Sequence, residues 1–144
     1  MPVEIERVTV PTAEHAEELA RLLPELSAAA PPDLADLQRI CCDERVVLLV
    51  ARLDGEVVGS LTLVLFEILT GVRAWIEDVV VDDSRRRAGI GAALVEAALA
   101  RAGEAGARSV DLTSRPSREA ANRLYERCGF ERRETNVWRY KVGS

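Results

Sequence analysis

The sequence predicts an α/β protein in which helices flank a mixed sheet on both faces. Apolar and polar residues alternate along several short runs, which is typical of strands, and recur with helical spacing along others. Strand–helix–strand connections require parallel strands, whereas the Asp54-Gly55 pair between two β-rich runs predicts an antiparallel hairpin. The predicted element order is therefore β-α-α-β-β-β-α-β-α-β-β.

The first part of the chain predicts one strand and two helices before the hairpin. The run VEIERVTV alternates between apolar and polar residues and is expected to form the first strand. Thr12 is expected to cap a helix over AEHAEELARLLPEL, which Pro24 ends or bends. A second short helix is predicted over DLADLQRICC.

The part of the chain after the hairpin predicts further strands that alternate with helices. In chain order these are the strand RAWIEDVVVDD, the helix GIGAALVEAALARAGEAGA, the strand RSVDLTS, the helix SREAANRLYERC, and the short strands FERRETN and VWRYKV. Gly129 is expected to end the last helix, because glycine readily adopts the left-handed conformation found just beyond helix ends.

Length and composition indicate one compact domain over residues 1–144, with enough apolar residues for a core. The formal net charge of −5 and the sequence pI of about 5.0 argue against a nucleic-acid partner. No apolar run approaches the ~18 residues of a membrane span, so no membrane partner is expected. Three cysteines without metal-ligand spacing are expected to be free thiols in the cytoplasm, with no metal bound.

The segment RRRAGIG, residues 85–91, concentrates positive charge where a strand leads into the long helix. Helix N-termini carry unpaired N–H groups and partial positive charge, which favour phosphate groups. Gly89 and Gly91 would let a phosphate approach the backbone, and arginine side chains would add contacts. The pattern lacks the GK[ST] of a Walker loop and the third glycine of a dinucleotide fingerprint. Taken locally, it is compatible with a phosphate site and with a solvated charged turn.

Two landmarks resemble those of a known family. The pattern Arg86-x-x-Gly89-x-Gly91, which follows a strand and opens a helix, resembles the [Q/R]-x-x-G-x-[G/A] signature of the GNAT superfamily of N-acetyltransferases. The downstream REAANRLYERCGF resembles its second landmark, a helix with Tyr followed by Gly-Phe. The resemblance implies a GNAT-like mixed, mostly antiparallel sheet of six to seven strands flanked by helices on both faces. It also implies acetyl-CoA as the cosubstrate.

The resemblance assigns cofactor-binding roles to three parts of the chain. Backbone amides of the signature turn would hold the pyrophosphate, at Arg86, Arg87, Ala88, Gly89, Ile90 and Gly91. The preceding strand would pair its backbone with the pantetheine arm, at Val79, Val80 and Val81. Many relatives carry an Asn two turns before the landmark Tyr125, where this chain has Arg118. Arg118 could contact a CoA phosphate or be solvated, and Asn122, one turn before Tyr125, is a further candidate.

The resemblance also implies a proton donor. Tyr125 matches the family tyrosine that protonates the departing CoA thiolate, and a phenol with a pKa near ~10 is protonated at neutral pH. The acceptor ammonium must lose a proton, and Glu77 is the first candidate for the base and Asp78 the second. The run IEDVVV is similar to a strand of the glucosamine-phosphate N-acetyltransferase branch. Strand alternation predicts that Glu77 and Asp78 point to opposite faces. His15 is expected on the solvated surface.

The expected function is acetyl-CoA-dependent N-acetylation, with direct transfer to a primary amine of a small molecule or peptide. The acidic balance favours a cationic acceptor such as a polyamine, an amino sugar or a peptide lysine. An alternative is a non-catalytic acetyl-CoA-binding sensor or partner module. A third reading, a toxin-like acetyltransferase acting on aminoacylated RNA, is disfavoured by the acidic pI. Formation of a homodimer through the C-terminal strands is a further expectation.

Overall fold

The computed structural model describes residues 2–85 and 88–143, which belong to two compact units that meet in sequence between Thr113 and Ser114. The first unit contains β1 (Glu4–Arg7), α1 (Ala13–Leu22), α2 (Leu34–Cys41), β2 (Val46–Leu53), β3 (Glu56–Ile68), β4 (Gly71–Val81), α3 (Ile90–Glu104) and β5 (Val110–Asp111). Short 3-10 turns occupy Leu23–Glu25 and Asp83–Arg85. The second unit contains α4 (Glu119–Arg127). The expectation of a single domain over residues 1–144 stays a prediction.

The strands of the first unit form a mixed, mostly antiparallel sheet in the order β1-β2-β3-β4-β5. Neighbouring strands are antiparallel from β1 to β4, whereas β4 and β5 are parallel. The predicted Asp54-Gly55 hairpin joins β2 to β3, and both of its residues have the positive φ that a tight turn requires. The described residues thus form five strands, fewer than the predicted six to seven.

The two predicted C-terminal strands account for this difference. Residues 130–143 contain neither a helix nor a strand, and residues 131–143 are exposed. An alternating pattern gives only a local preference, because a strand needs a neighbour to pair its N–H and C=O groups. No strand of the described residues pairs with FERRETN or VWRYKV. The strand predicted over RSVDLTS is likewise shorter than expected and covers only Val110–Asp111.

Helix α1 begins as predicted at Thr12, but the cap gives His15 an unexpected environment. The Thr12 side chain accepts the His15 N–H, and the Thr12 N–H donates to His15 Nδ1 over 3.0 Å. His15 Nε2 lies 3.4 Å from a carboxylate oxygen of Glu6. His15 is consequently buried, with 9% of its surface exposed, so the prediction of a solvated histidine is wrong.

The core of the first unit forms where the first two helices cover the sheet. Buried residues from the two helices and three strands pack together here, namely Leu19, Leu22, Leu37, Leu48, Val50, Val57 and Val80, with Val8 beside them. Helix α3 packs across β2, β3 and β4 and buries Ile90, Leu94, Val95, Ala98 and Ala102. The predicted division of the helices between both faces of the sheet stays a prediction.

A partly buried ion-pair network ties β1, α1 and β2 together. The Arg52 guanidinium donates to Glu6 over 2.9 Å and to Glu18 over 3.2 Å. The Glu18 side chain is only 6% exposed, so its carboxylate depends on Arg52 for charge compensation.

We expect Arg52→Met to lower the free energy of unfolding by about 2–3 kcal/mol, because it leaves Glu18 buried without its cation. Arg45→Met is the matched control, since Arg45 pairs with Asp43 in solvent and is 74% exposed. Urea unfolding of both variants at neutral pH measures the difference. Equal stabilities for the two variants would contradict the structural role assigned to Arg52.

Candidate active site

Strand β4 contains a bulge at the position of the predicted catalytic carboxylates. Glu77 pairs with Thr62 and Val80 pairs with Ser60, so two residues of β4 oppose the single residue between Ser60 and Thr62. The first of these two, Asp78, has a φ of 52°, in the left-handed region. Asp tolerates this conformation better than most residues, which favours the bulge at this position.

The bulge changes where the two carboxylates point. Residues directly opposite in an antiparallel pair share a face, so Glu77 points to the same side of the sheet as Thr62. Asp78 lines the same cavity as Thr62. The prediction that Glu77 and Asp78 point to opposite faces is therefore wrong, because the additional residue interrupts the alternation on which it rested.

The electrostatic environments of the two carboxylates differ. Glu77 accepts a hydrogen bond of 2.7 Å from the indole Nε1 of Trp75, two residues earlier on the same strand. The pKa of the Asp78 carboxyl is raised, first by desolvation from surrounding protein atoms and then by the negative charge of Glu77. No ion pair to Asp78 is found within residues 2–85 and 88–143. Asp78 therefore binds a proton more readily than an ordinary aspartate.

A cavity of about 410 Å³ lies between the first two helices and the sheet in the first unit. Its wall is largely apolar and includes Leu19, Leu23, Pro32, Leu37, Ile40 and Leu48. The sheet contributes the hydroxyls of Ser60 and Thr62 and the carboxylate of Asp78, which remains exposed. The cavity therefore joins an apolar volume to one carboxylate of the bulge.

The signature turn leads into α3 at an exposed glycine. Gly89 is the N-cap residue of α3, with φ of 74° and ψ of 17°, a conformation that glycine adopts without steric cost. A Cβ built at Gly89 would meet no atom of the described residues within 4 Å. The first N–H groups of α3 have no partner within the helix. Arg86 and Arg87, predicted to bind the cofactor, lie outside the described residues.

The outer edge of β4 is unpaired along its second half. Strand β5 pairs with β4 at Ala74 and Trp75, and no other strand of the described residues lies on that edge. On the inner edge, the Asp82 N–H donates to the Val58 carbonyl over 2.8 Å. Because successive residues of a strand turn their backbone groups to alternate edges, Val81 directs its N–H and C=O outward. The backbone there is available to an amide-containing ligand.

Tyr125 is buried at the end of α4 in the second unit. Gly129, with a φ of 99°, ends the helix as predicted: its N–H donates to Glu126, and the Phe130 N–H donates to the Tyr125 carbonyl. The Phe130 and Tyr125 rings meet edge to face, with centroids 5.8 Å apart. Burial raises the pKa of the Tyr125 phenol, against a smaller opposing effect of the Arg118 charge. Tyr125 therefore keeps its proton at neutral pH.

The two polar candidates on α4 have different local roles. Arg118 is the exposed N-cap residue of α4, and its side chain forms no capping hydrogen bond. The Asn122 amide donates to the backbone carbonyl of Arg115 over 3.0 Å and thereby holds the turn that precedes the helix. The predicted contacts of Arg118 and Asn122 with a cofactor stay predictions.

Sequence reasoning missed the hydroxyls that line the cavity. Ser60 and Thr62 interrupt the otherwise apolar run VVGSLTLVLF of β3, and this interruption was the available signal.

Across the described ranges, no group of three His, Cys, Asp or Glu side chains is arranged to hold a metal ion. None of the helices in the described part of the chain is long and apolar enough to cross a membrane. Cys41, Cys42 and Cys128 are free of disulfides.

Asp78→Asn should change how stability depends on pH. Because the pKa of Asp78 is raised in the folded state, its stabilising contribution is present below its unfolded pKa, near ~4, and is lost as the pH rises through the folded pKa. The stability of the unaltered protein should therefore fall relative to Asp78→Asn between about pH 3 and pH 7. Urea unfolding across this range tests the expectation.

Asp54→Asn provides a matched control for that experiment, because Asp54 has the same φ of 52° in an exposed turn. It separates the backbone preference of asparagine from the loss of the Asp78 charge. A stability difference for Asp78→Asn that does not vary with pH would show that the raised pKa plays no part in stability.

Comparison with known proteins agrees with this architecture. The profile of the acetyltransferase (GNAT) family matches residues 13–130. An aminoglycoside acetyltransferase from an uncultured soil metagenomic sample, solved with trehalose, is 26% identical at a TM-score of 0.85, covering 99% of this chain and 97% of that one. An acetyltransferase from Trypanosoma brucei is 28% identical at a TM-score of 0.81, covering 98% and 100%.

A glucosamine-6-phosphate N-acetyltransferase from Arabidopsis thaliana is 19% identical, at a TM-score of 0.81 over 97% of this chain and 99% of that one. At this identity, the similarity shows a shared fold alone. Among curated proteins, none matches this chain by sequence. The family match spans most of the chain, and it includes the strand, turn and helices described above. The chain therefore belongs to the acetyltransferase (GNAT) family.

Proposed function

We propose that this protein is an acetyl-CoA-dependent N-acetyltransferase that moves an acetyl group directly to a primary amine of a small molecule or peptide. The observation that carries the proposal is the course of β4. This strand places Asp78 at the cavity and Glu77 on the same side of the sheet, and Gly89, at the start of α3, follows shortly afterwards in the sequence. One continuous segment thus joins a proton acceptor to a phosphate-binding helix end.

The residues of the turn and the strand fit the proposed cosubstrate. A Cβ at Gly89 would meet no described atom within 4 Å, and the positive end of α3 favours the pyrophosphate, which Ala88, Gly89, Ile90 and Gly91 would hold together with Arg86 and Arg87. The unpaired edge of β4 suits the amides of the pantetheine arm, at Val79, Val80 and Val81. When bound, acetyl-CoA would supply the acetyl group as an activated thioester.

The carboxylates at the bulge would remove the proton from the acceptor ammonium. Asp78 borders the cavity, and its raised pKa makes it a stronger base than an ordinary carboxylate. Desolvation and then the charge of Glu77 cause that rise, and Glu77, on the same side of the sheet, is the other proposed base. The free amine then forms a bond to the thioester carbon as the carbon–sulfur bond breaks.

Tyr125 would donate a proton to the departing sulfur. Because its pKa is raised, the phenol carries its proton at neutral pH and can donate it. The edge-to-face contact with Phe130 orients the ring, and Arg118 places a positive charge near it. We also propose a cytoplasmic setting, as expected from the cysteine content of the sequence.

Titration of acetyl-CoA and of CoA into the protein tests the cofactor site. We expect micromolar binding that Gly91→Glu abolishes, because a carboxylate at the start of α3 would repel the pyrophosphate. Gly103→Glu is the matched control: it makes the same change at the other end of α3, where a Cβ meets no atom within 4 Å. Circular dichroism verifies that both variants fold. No binding to the unaltered protein would overturn the proposal.

Tyr125→Phe tests catalysis separately from binding. We expect kcat to fall by about 10²-fold or more, with acetyl-CoA affinity unchanged, because phenylalanine keeps the ring contact and loses only the donor. Tyr140→Phe is the control, since Tyr140 is 89% exposed in the C-terminal segment. An acetyl-CoA-binding sensor would instead show no turnover that depends on Tyr125.

A further inference from the structure

The cavity beside Asp78 differs chemically from a site for a polycation. Its wall from α1, α2 and β2 is aliphatic, with Leu19, Leu37 and Leu48 almost completely buried beneath it. Ser60 and Thr62 add hydroxyls without adding charge. An ammonium group placed against this wall would lose hydration without gaining a carboxylate, which is strongly unfavourable for an unpaired charge.

The charged residues of the lining leave one carboxylate available. Asp36 and Arg39 line the cavity on α2, where they pair with each other over 3.1 Å. Asp36 also accepts the Asp33 N–H, and this hydrogen bond, followed by Arg39, lowers the pKa of the Asp36 carboxyl. Since Asp36 and Arg39 compensate each other, the net charge of the residues that line the cavity is the single negative charge of Asp78. Glu77 lies nearby on the same side of the sheet but outside the lining, where it accepts a hydrogen bond from Trp75.

We infer that the acceptor is a monoamine with an apolar body, such as an arylalkylamine or alkylamine, and not a polyamine or aminoglycoside. This inference rests on the proposed function and narrows its acceptor. The ammonium would lie at the exposed Asp78 carboxylate, while the apolar body fills the volume of about 410 Å³ between the helices and the sheet. That volume lies within the range of small-molecule sites.

Two amines of nearly the same size and different charge test the inference. Phenethylamine is an apolar monocation, and 4-(2-aminoethyl)piperidine is its dicationic counterpart at neutral pH. With acetyl-CoA present, we expect kcat/KM for phenethylamine to exceed that for the dication by at least about tenfold. Spermidine and an aminoglycoside should be acetylated more slowly still. A kcat/KM for any of these polycations equal to or above that for phenethylamine overturns the inference.

A variant of the cavity wall makes the test specific. Ile40 lines the cavity and is only partly buried, so a polar side chain is tolerated there. Ile40→Glu supplies a second carboxylate and should raise the preference for the dication over phenethylamine by about tenfold relative to Ile40→Gln. Equal preferences in the glutamate and glutamine variants would contradict the assignment of this cavity to the acceptor.

Equilibrium binding separates failure of this inference from failure of the proposed function. Binding of both amines without acetyl-CoA, followed by NMR chemical shifts, should favour phenethylamine and should weaken at least about tenfold in Asp78→Asn. If acetyl-CoA does not bind but this selectivity is observed, the proposed function fails and the inferred cavity chemistry stands. If acetyl-CoA binds and polycations are acetylated preferentially, only the inference fails. If neither amine binds and neither is acetylated, the inference fails as well.

Discussion

The additional residue in β4 is the constraint on which the candidate site depends. In a regular strand, Glu77 and Asp78 would lie on opposite faces, and one of them would be remote from the cavity. The bulge at Asp78 brings both to the side of Thr62. It also places two like charges close together, which contributes to the raised pKa of Asp78. A local backbone irregularity thereby brings two acidic side chains to the same side of the sheet.

The surroundings of β4 hold this irregularity in place. On one edge, the long pairing with β3 resumes on both sides of the bulge, so the left-handed backbone at Asp78 is supported by regular ladder. On the other edge, β5 pairs only near Ala74 and Trp75 within the described residues, and the remaining backbone is available for a ligand. One edge of β4 is therefore held by its pairing with β3, whereas the other edge has backbone groups that no described strand pairs and that the proposed cosubstrate could contact. This division is what the proposed binding of a cosubstrate at a packed sheet requires.

Local signals in the sequence were sufficient for features that depend on a few neighbouring residues. The Thr12 cap, the Asp54-Gly55 turn and the helix end at Gly129 each follow from the conformational preference of one or two residues. The signature turn and its glycines could likewise be located, and the family match includes them.

Features that depend on residues distant in sequence could not be predicted in this way. The bulge is a property of the register between β3 and β4, so no local pattern in IEDVVV specifies it. The burial of His15 depends on Glu6 in a neighbouring strand. The C-terminal runs have the alternation of strands, but alternation does not supply a pairing partner. The cavity is lined by residues of three strands and two helices. In the sequence, only the polar residues Ser60 and Thr62 within the apolar run of β3 indicated it.

The way in which α4 ends has a consequence for the orientation of the Tyr125 side chain. The last turn of a helix ordinarily frays, and side chains there sample several orientations on fast timescales. Here the closing hydrogen bond reaches back to the carbonyl of Tyr125 itself, and the residue that makes it, Phe130, also contacts the tyrosine ring. Termination of the helix and alignment of the phenol are thus one structural event. The Gly-Phe pair after the helix therefore fixes both the end of α4 and the orientation of the Tyr125 ring.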